Sequence, residues 1–229
     1  MKPMKMFGLA LVAAVAAMAL VGASSALAAE STALCKVSTS PCPEKSIYPS
    51  GTIVKAQLLH QTASLEENLK NVSPSLLLGP NLVEEVRCWE SSASGKTTSG
   101  LVTEGPVTGT LETLAFAHCF HKTGVACTVT VNKLGTLTLQ KTGVNVGEAK
   151  VNGVLVTVVC GAVFECIYKT EELPMAAKGT GPLGEVAELV ANHAKLVLEN
   201  PLTGIGCPSE GFFDAAYEIT EPATGFITS

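Results

Sequence analysis

Eight cysteines follow an N-terminal export signal, and this arrangement constrains the fold of the 229-residue chain more than any other feature. The signal begins with Lys2 and Lys5, continues as an apolar run from Phe7 to Val21, and ends in small residues at Ala26-Leu27-Ala28. Cysteines that reach an oxidising compartment form disulfides, whereas cytosolic cysteines stay reduced. We therefore expect residues 1–28 to be a cleaved signal peptide and the mature chain to be secreted, either free or loosely associated with the cell envelope.

The spacing of the cysteines suggests how they pair, although eight cysteines allow many connectivities. Three pairs are separated by no more than a short turn or hairpin: Cys35 and Cys42, Cys119 and Cys127, and Cys160 and Cys166. The two remaining cysteines, Cys88 and Cys207, would then bond to each other. Proximity thus favours these four disulfides, while the connectivity itself stays open.

The composition disfavours several classes of function. The formal net charge is −5 and Arg87 is the only arginine, so the chain lacks the clustered basic residues that bind nucleic acid. Asp214 is the only aspartate, which disfavours Asp-rich calcium loops and nucleases. The apolar run of the signal is too short to cross a bilayer as a helix, so we expect no membrane span after cleavage.

Alternation of apolar and polar residues predicts β-strands along most of the chain. It is clear in Thr52–Leu59, in the Thr- and Val-rich region Val107–Tyr168, and in Phe213–Ile219. Asn152-Gly153 lies between two such runs and has the composition of a tight hairpin turn. We expect an all-β fold, either a disulfide-stapled β-sandwich or a distorted barrel, with one or two short helices.

The domain organisation follows from the same patterns. Residues 29–49 are rich in proline and predict an irregular segment clipped by its two cysteines, and residues 50–229 predict a single β-rich domain. A capping-box pattern at Ser64-Leu65-Glu66-Glu67 predicts a short helix. Glu185–Glu199 fits a helical face as well as a strand, and we favour a partial helix that runs into a strand. Ser91–Gly100 is predicted to be a polar loop.

A segment with two histidines is the best candidate for metal binding. His118 and His121 flank Cys119, and Cys127 is near, which would suit zinc. However, zinc motifs generally contain closely spaced cysteine pairs, and no Cys-x-x-Cys occurs in the sequence. We therefore expect no metal and no cofactor, with both histidines solvated beside a disulfide. The sequence also lacks the Gly-x-Ser-x-Gly and His-Glu-x-x-His motifs of hydrolases, which disfavours an enzyme.

Trp89 is the only tryptophan and directly follows Cys88. In β-sandwiches a tryptophan beside a disulfide usually packs in the core, so we expect Trp89 to be buried. Stacking of a sugar on this ring would require it to be exposed. The alternative place for a binding site is a loop at one end of the sandwich, such as Ser91–Gly100.

The order of these features gives the chain a resemblance to known proteins. The shared features are a cysteine before a small polar stretch, two close cysteine pairs and a Gly-Cys-Pro sequence: Cys88–Gly100, Cys119 and Cys127, Cys160 and Cys166, and Gly206-Cys207-Pro208. Over residues 82–229 this pattern resembles a broad set of secreted, cysteine-containing, β-rich proteins of actinobacteria. The resemblance implies export, a β-rich fold and this placement of cysteines, and it implies no activity.

These observations favour an extracellular or cell-envelope protein with a structural or adhesive, non-enzymatic role. The alternative is a glycan- or protein-binding module whose partner is cell-wall polysaccharide or another extracellular protein. A metal-dependent enzyme acting through His118 and His121 is the second alternative.

Overall fold

The fold is described from a computed structural model, in which residues 31–59, 75–77, 86–102, 105–162, 164–181, 184–200 and 207–229 are defined. The strands, in chain order, are β1 (Thr32–Cys35), β2 (Ile53–Leu58), β3 (Ser75–Leu77), β4 (Val86–Thr97), β5 (Leu101–Val102), β6 (Val107–His121), β7 (Ala126–Lys133), β8 (Thr136–Gly143), β9 (Val146–Asn152), β10 (Leu155–Cys160), β11 (Phe164–Lys169), β12 (Leu173–Lys178), β13 (Glu188–Asn200), β14 (Glu210–Glu221) and β15 (Phe226–Thr228). A single turn of 3-10 helix at Glu44–Ser46 is the only helix within the defined residues. The signal sequence at residues 1–28 and the helix predicted from Ser64 lie outside them.

The strands from β2 to β14, except β5, form a closed barrel with eight strand positions, each antiparallel to its neighbours. Three positions are each occupied by two consecutive strands with a bend between them: β7 with β8, β9 with β10, and β11 with β12. β2 and β3 likewise share the position between β14 and β4. The chain therefore runs up and down around the barrel, and pairing of β14 with β2 closes it. Closure removes the exposed sheet edges that an open sheet would carry.

The predicted all-β fold is confirmed, and its form is the barrel. Strand β12 shows why the sequence folds in this way, since Leu173, Met175 and Ala177 are buried while the residues between them are exposed. This alternation places one face of the strand inside the barrel and the other in solvent. Strands β2 and β14 confirm the strands predicted at Thr52–Leu59 and Phe213–Ile219.

The polar loop predicted at Ser91–Gly100 is wrong. Strand β4 continues through this segment to Thr97 and pairs with β2 on one side and β6 on the other. The small side chains that suggested a loop instead allow neighbouring strands to lie close together. A Cβ atom at Gly95 would lie only 2.5 Å from the carbonyl oxygen of Thr110, so this strand position requires glycine.

The predictions of a partial helix at Glu185–Glu199 and of a hairpin turn at Asn152-Gly153 are also wrong, because pairing between strands outweighs the local sequence pattern. Glu185–Glu199 contains no helical turn in the defined residues, since β13 forms from Glu188 and pairs along its length with β14. Asn152-Gly153 does not close a hairpin, because β9 and β10 pair with other strands and not with each other. Gly153 has a φ of 77°, and this residue bends the chain between two strands of one barrel position.

A small antiparallel sheet of β1, β5 and β15 covers one end of the barrel, and we call it the cap. Thr32 Oγ1 accepts a hydrogen bond from the backbone N–H of Lys141, with a distance of 3.1 Å. The side chain of Asn145 donates to the carbonyl of Thr180 at 2.9 Å and accepts from the N–H of Ile227 at 3.1 Å. The N-terminal segment, predicted to be irregular, therefore contributes a strand that is fixed to the barrel.

The defined part of the chain contains no helix long and apolar enough to cross a membrane. The outer face of the barrel carries exposed lysine–glutamate pairs between strands. Lys150 Nζ lies 2.7 Å from Glu172 Oε1, and this hydrogen bond together with the negative charge raises the pKa of Lys150. Exposed pairs of this kind contribute little to stability.

Candidate functional site

The interior of the barrel is not filled by side chains. Two adjoining cavities lie along its axis, one of about 160 Å³ towards the cap and one of about 100 Å³ deeper in the barrel, and we call them the outer lobe and the inner lobe. Five residues line both lobes: Ala56, Ala93, Leu111, Leu137 and Leu189. The two lobes therefore meet at a waist formed by these five side chains.

Small residues at inward-facing positions leave this space open. An eight-stranded barrel has an interior just wide enough for large side chains to fill, or for one small ligand when they do not. The outer lobe is lined by small residues, of which the alanines stand where leucine or valine would fill the barrel and the glycines where neighbouring strands approach closely: Ala149, Ala177, Ala187, Gly95 and Gly109. Ala56 and Ala93 face each other as register partners on adjacent strands and keep the waist open.

The cap forms the roof of the outer lobe. Leu34 of β1, Tyr48 and Ile227 of β15 line this lobe together with residues of the barrel. The hydroxyl group of Tyr48 donates a hydrogen bond of 2.6 Å to the carbonyl of Thr224, which links the N-terminal segment to the segment before β15. The cap therefore covers the outer lobe at this end of the barrel.

The inner lobe is lined almost entirely by apolar atoms, and Tyr217 is one of the residues that border it. Leu114, Phe116 and Val154 supply part of its apolar lining, and Tyr217 also lines it. The Tyr217 hydroxyl lies 2.7 Å from Ser91 Oγ, and burial raises the pKa of Tyr217 to about 12. The phenol therefore stays neutral at physiological pH, and its hydroxyl forms a buried hydrogen bond to Ser91, which does not line this lobe.

The end of the barrel opposite the cap carries three disulfides. They link Cys88 to Cys119, Cys127 to Cys160, and Cys166 to Cys207. The predicted pairs 119/127, 160/166 and 88/207 are therefore wrong, whereas the pair Cys35–Cys42 is present in the N-terminal segment. All eight cysteines are bonded, so none is available as a thiolate ligand or nucleophile.

Cys119 and Cys127 are register partners on adjacent strands, but they do not bond to each other. The N–H of His121 donates to the carbonyl of Val125, so alternate pairs of this hairpin are hydrogen-bonded, and the next such pair is Cys119 with Cys127. Hydrogen-bonded partners are the widely spaced ones in an antiparallel pair. Cys119 is closer to its partner on the other side, with a Cα–Cα distance of 3.9 Å to Cys88.

The same rule places Cys127 against Cys160, where the Cα–Cα distance is 4.1 Å. Cys160 and Cys166 are not opposite each other, because Cys160 faces Phe164 and Cys166 faces Val158. Cys166 instead reaches Cys207, which precedes β14, with a Cα–Cα distance of 5.7 Å.

The two histidines considered for metal binding have different surroundings. His118 is exposed, and its Nδ1 lies 3.1 Å from Glu90 Oε1. His121 is buried, and its Nδ1 lies 2.8 Å from Thr123 Oγ1. Within the defined residues, no three His, Cys, Asp or Glu side chains are grouped so that they could hold a metal ion.

Trp89 is 59% exposed, so the prediction that it packs in the core is wrong. Cys88 occupies the inward-facing position beside it and is buried, which directs Trp89 to the outer face of β4. Phe120 is also partly exposed at this end of the barrel, on the neighbouring strand opposite Arg87.

The cavity was not predicted from the sequence. A signal for it exists in alanine at inward-facing positions of strands, as at Ala56 in β2 and Ala93 in β4, where a filled core would need larger residues. Comparison with protein families, with curated proteins and with solved structures found no match for this chain. The geometry alone therefore defines the class, a closed antiparallel eight-stranded barrel that contains an apolar cavity.

Proposed function

We propose that this protein is an extracellular binding protein that holds a small apolar molecule inside its barrel. The observation that carries this proposal is the outer lobe, about 160 Å³ in volume and lined largely by aliphatic side chains, glycine and alanine. Ligand sites in proteins are concave and mostly apolar, and the interior of a small barrel is a preferred place for them.

The energetic cost of an empty cavity supports a ligand. At about 24 cal/mol per Å³, an unfilled lobe of 160 Å³ destabilises the fold by about 4 kcal/mol. Water does not offset this cost well, because a water molecule needs several polar partners and apolar cavities of this size stay dry. An apolar cavity of about 150 Å³ binds benzene, so a compact hydrocarbon or the end of an acyl chain has the right size and chemistry.

Four disulfides are typical of proteins that work in an oxidising, extracellular environment. An apolar molecule is poorly soluble in such an environment and needs a carrier. A purely structural or adhesive role would not require an unfilled barrel, so the cavity supports binding over that expectation. The proposed partner is accordingly a small molecule inside the barrel, and not wall polysaccharide on its surface. We propose that the protein binds this molecule without converting it chemically.

Filling the waist tests this proposal. In Ala93→Leu the added side chain occupies the space where the two lobes meet, so benzene should no longer bind. We expect benzene at ten times its dissociation constant to stabilise the native, disulfide-bonded protein by about 1.4 kcal/mol and to raise its Tm by about 3–6 °C. In Ala93→Leu the Tm should not change on addition of benzene.

Ala115→Leu is the matched control, because Ala115 is exposed on the neighbouring strand and the same side chain is added outside the barrel. This variant should keep the full response to benzene. A benzene response that survives in Ala93→Leu, or is absent from the unaltered protein, would contradict the proposal.

A further inference from the structure

Four cysteines lie side by side across four neighbouring strands, and we call them the cysteine row. Cys119 of β6 is the register partner of Cys88 of β4 on one side and of Cys127 of β7 on the other. Cys127 is in turn the register partner of Cys160 of β10. Register partners lie on the same face of a sheet, so the four side chains are neighbours on the inner face of the barrel.

We propose that the cysteine row is a redox-sensitive device. When an extracellular dithiol reduces one of its two disulfides, the remaining disulfide moves to the middle of the row and joins Cys119 to Cys127. This inference goes beyond the proposed binding function and does not depend on a ligand.

The middle pair of the row can bond without movement of the backbone. Cys119 and Cys127 are a hydrogen-bonded pair of the β6–β7 hairpin, and the Cα atoms of such a pair lie about 5.5 Å apart. The Cα atoms of disulfide-bonded cysteines usually lie roughly 4.4–6.8 Å apart. Rotation of the two side chains is therefore enough to bring their sulfur atoms together.

A reductant reaches the row at Cys127. This residue is half-buried, whereas the other three members of the row are at most 4% exposed. One thiol of the dithiol attacks Cys127 Sγ, and Cys160 leaves as a thiolate and takes up a proton. The second thiol then attacks the mixed disulfide, which oxidises the dithiol and releases Cys127 as a thiolate.

The thiolate of Cys127 lies beside the second disulfide of the row. Its attack on Cys119 Sγ forms the new disulfide and breaks the bond to Cys88, whose sulfur leaves and takes up a proton. A thiolate displaces a sulfur along the line of the S–S bond, and the row places these three cysteines in that order on successive strands. The protein thus loses one disulfide to the dithiol and keeps one in the row.

Burial makes the exchange hard to reverse. The nucleophile in disulfide exchange is a thiolate, which apolar surroundings disfavour. The released thiols of Cys88 and Cys160 are 3% and 0% exposed, so they stay protonated and react poorly. Two covalent links, from β4 to β6 and from β7 to β10, are therefore replaced by one link within the β6–β7 hairpin.

Mapping of free thiols after partial reduction tests this proposal on the native protein. The protein is treated briefly with dithiothreitol, unfolded in acid, alkylated at acidic pH, where exchange is slow, and digested with pepsin for mass spectrometry. In molecules that have lost one disulfide of the row, we expect alkylated Cys88 and Cys160. The same molecules should contain a peptide pair linked by Cys119 and Cys127.

Alkylation of two native partners, such as Cys127 with Cys160, would overturn the proposal. A row that resists dithiothreitol in the native protein, or that loses both disulfides at once, would overturn it as well.

Two double variants serve as matched controls. In Cys88→Ala with Cys119→Ala the exposed entry point remains but has no second disulfide to attack, so Cys127 and Cys160 should be alkylated together. In Cys127→Ala with Cys160→Ala the entry point is absent, and the buried disulfide that remains should lose most of its reactivity towards dithiothreitol. Equal rates of reduction in the two variants would contradict entry at Cys127.

Discussion

At the scale of single residues, Tyr217 is the side chain with the clearest physical signature. Burial raises the pKa of its phenol to about 12, from an ordinary value of 10, and the hydrogen bond to Ser91 offsets only part of this effect. Such a shift connects the position of the ring inside the barrel to the stability of the whole protein, because protonation and folding are linked.

The stability contributed by Tyr217 depends on pH with a definite sign. Its folded-state pKa lies above the unfolded value, so this contribution is complete below pH 10 and is lost as the pH rises towards about 12. Two pKa units correspond to about 3 kcal/mol. In Tyr217→Phe this loss cannot occur, so the unfolding free energy of the unaltered protein should fall relative to the variant between these pH values.

Chemical denaturation of both proteins at a series of pH values measures this difference. All other groups are the same in both proteins, so their effects cancel in the comparison. A difference in unfolding free energy that stays constant up to pH 12 would show that Tyr217 is not buried as described.

At the scale of elements, the sequence predicted where individual strands lie better than it predicted which strands pair with one another. Alternation at Phe213–Ile219 is a local property and identified a strand correctly. The disulfides depend on which strands lie side by side and on which pairs are hydrogen-bonded, and neither is visible in sequence spacing. For this reason Cys119 was assigned to the nearby Cys127, although the structure joins it to Cys88.

The cavity was missed for a similar reason. Whether an alanine such as Ala56 faces another alanine or a leucine depends on strand register, which is set by the closed barrel. The small polar segment at Ser91–Gly100 was predicted to be a loop because its composition is typical of loops. The close approach of three strands there explains the same composition in structural terms.

The disulfides at the two ends of the barrel should have different effects. Cys88–Cys119 joins residues 31 apart and Cys35–Cys42 residues 7 apart. In the chain-entropy model these loops correspond to roughly 4 and roughly 2.5 kcal/mol. Replacing Cys88 and Cys119 by alanine should therefore lower the unfolding free energy more than replacing Cys35 and Cys42.

The two disulfides should have the opposite order of effect on the rate at which the ligand dissociates. Loss of Cys35–Cys42 loosens the segment that forms the roof of the outer lobe, so benzene should dissociate faster from this variant than from the one lacking Cys88–Cys119. Line-shape analysis of the benzene resonance in NMR gives both rates. Equal rates in the two variants would mean that the ligand does not pass the cap.

At the scale of the whole molecule, the barrel is asymmetric along its axis. One end is cross-linked by three disulfides, and the other is covered by the cap, which hydrogen bonds such as that between Lys141 and Thr32 hold in place. The cavity lies between these ends, with its larger lobe beneath the cap. The two ends therefore differ in how they are held, since covalent bonds join the strands at one end and hydrogen bonds join the cap to the barrel at the other.

A crystal structure determined under xenon pressure would show directly whether the barrel contains an apolar cavity that a ligand can reach. Xenon enters dry apolar cavities of this size and scatters strongly. We expect xenon inside the barrel near Ala56 and Ala93 in the native protein. An interior filled by side chains and without xenon would contradict it.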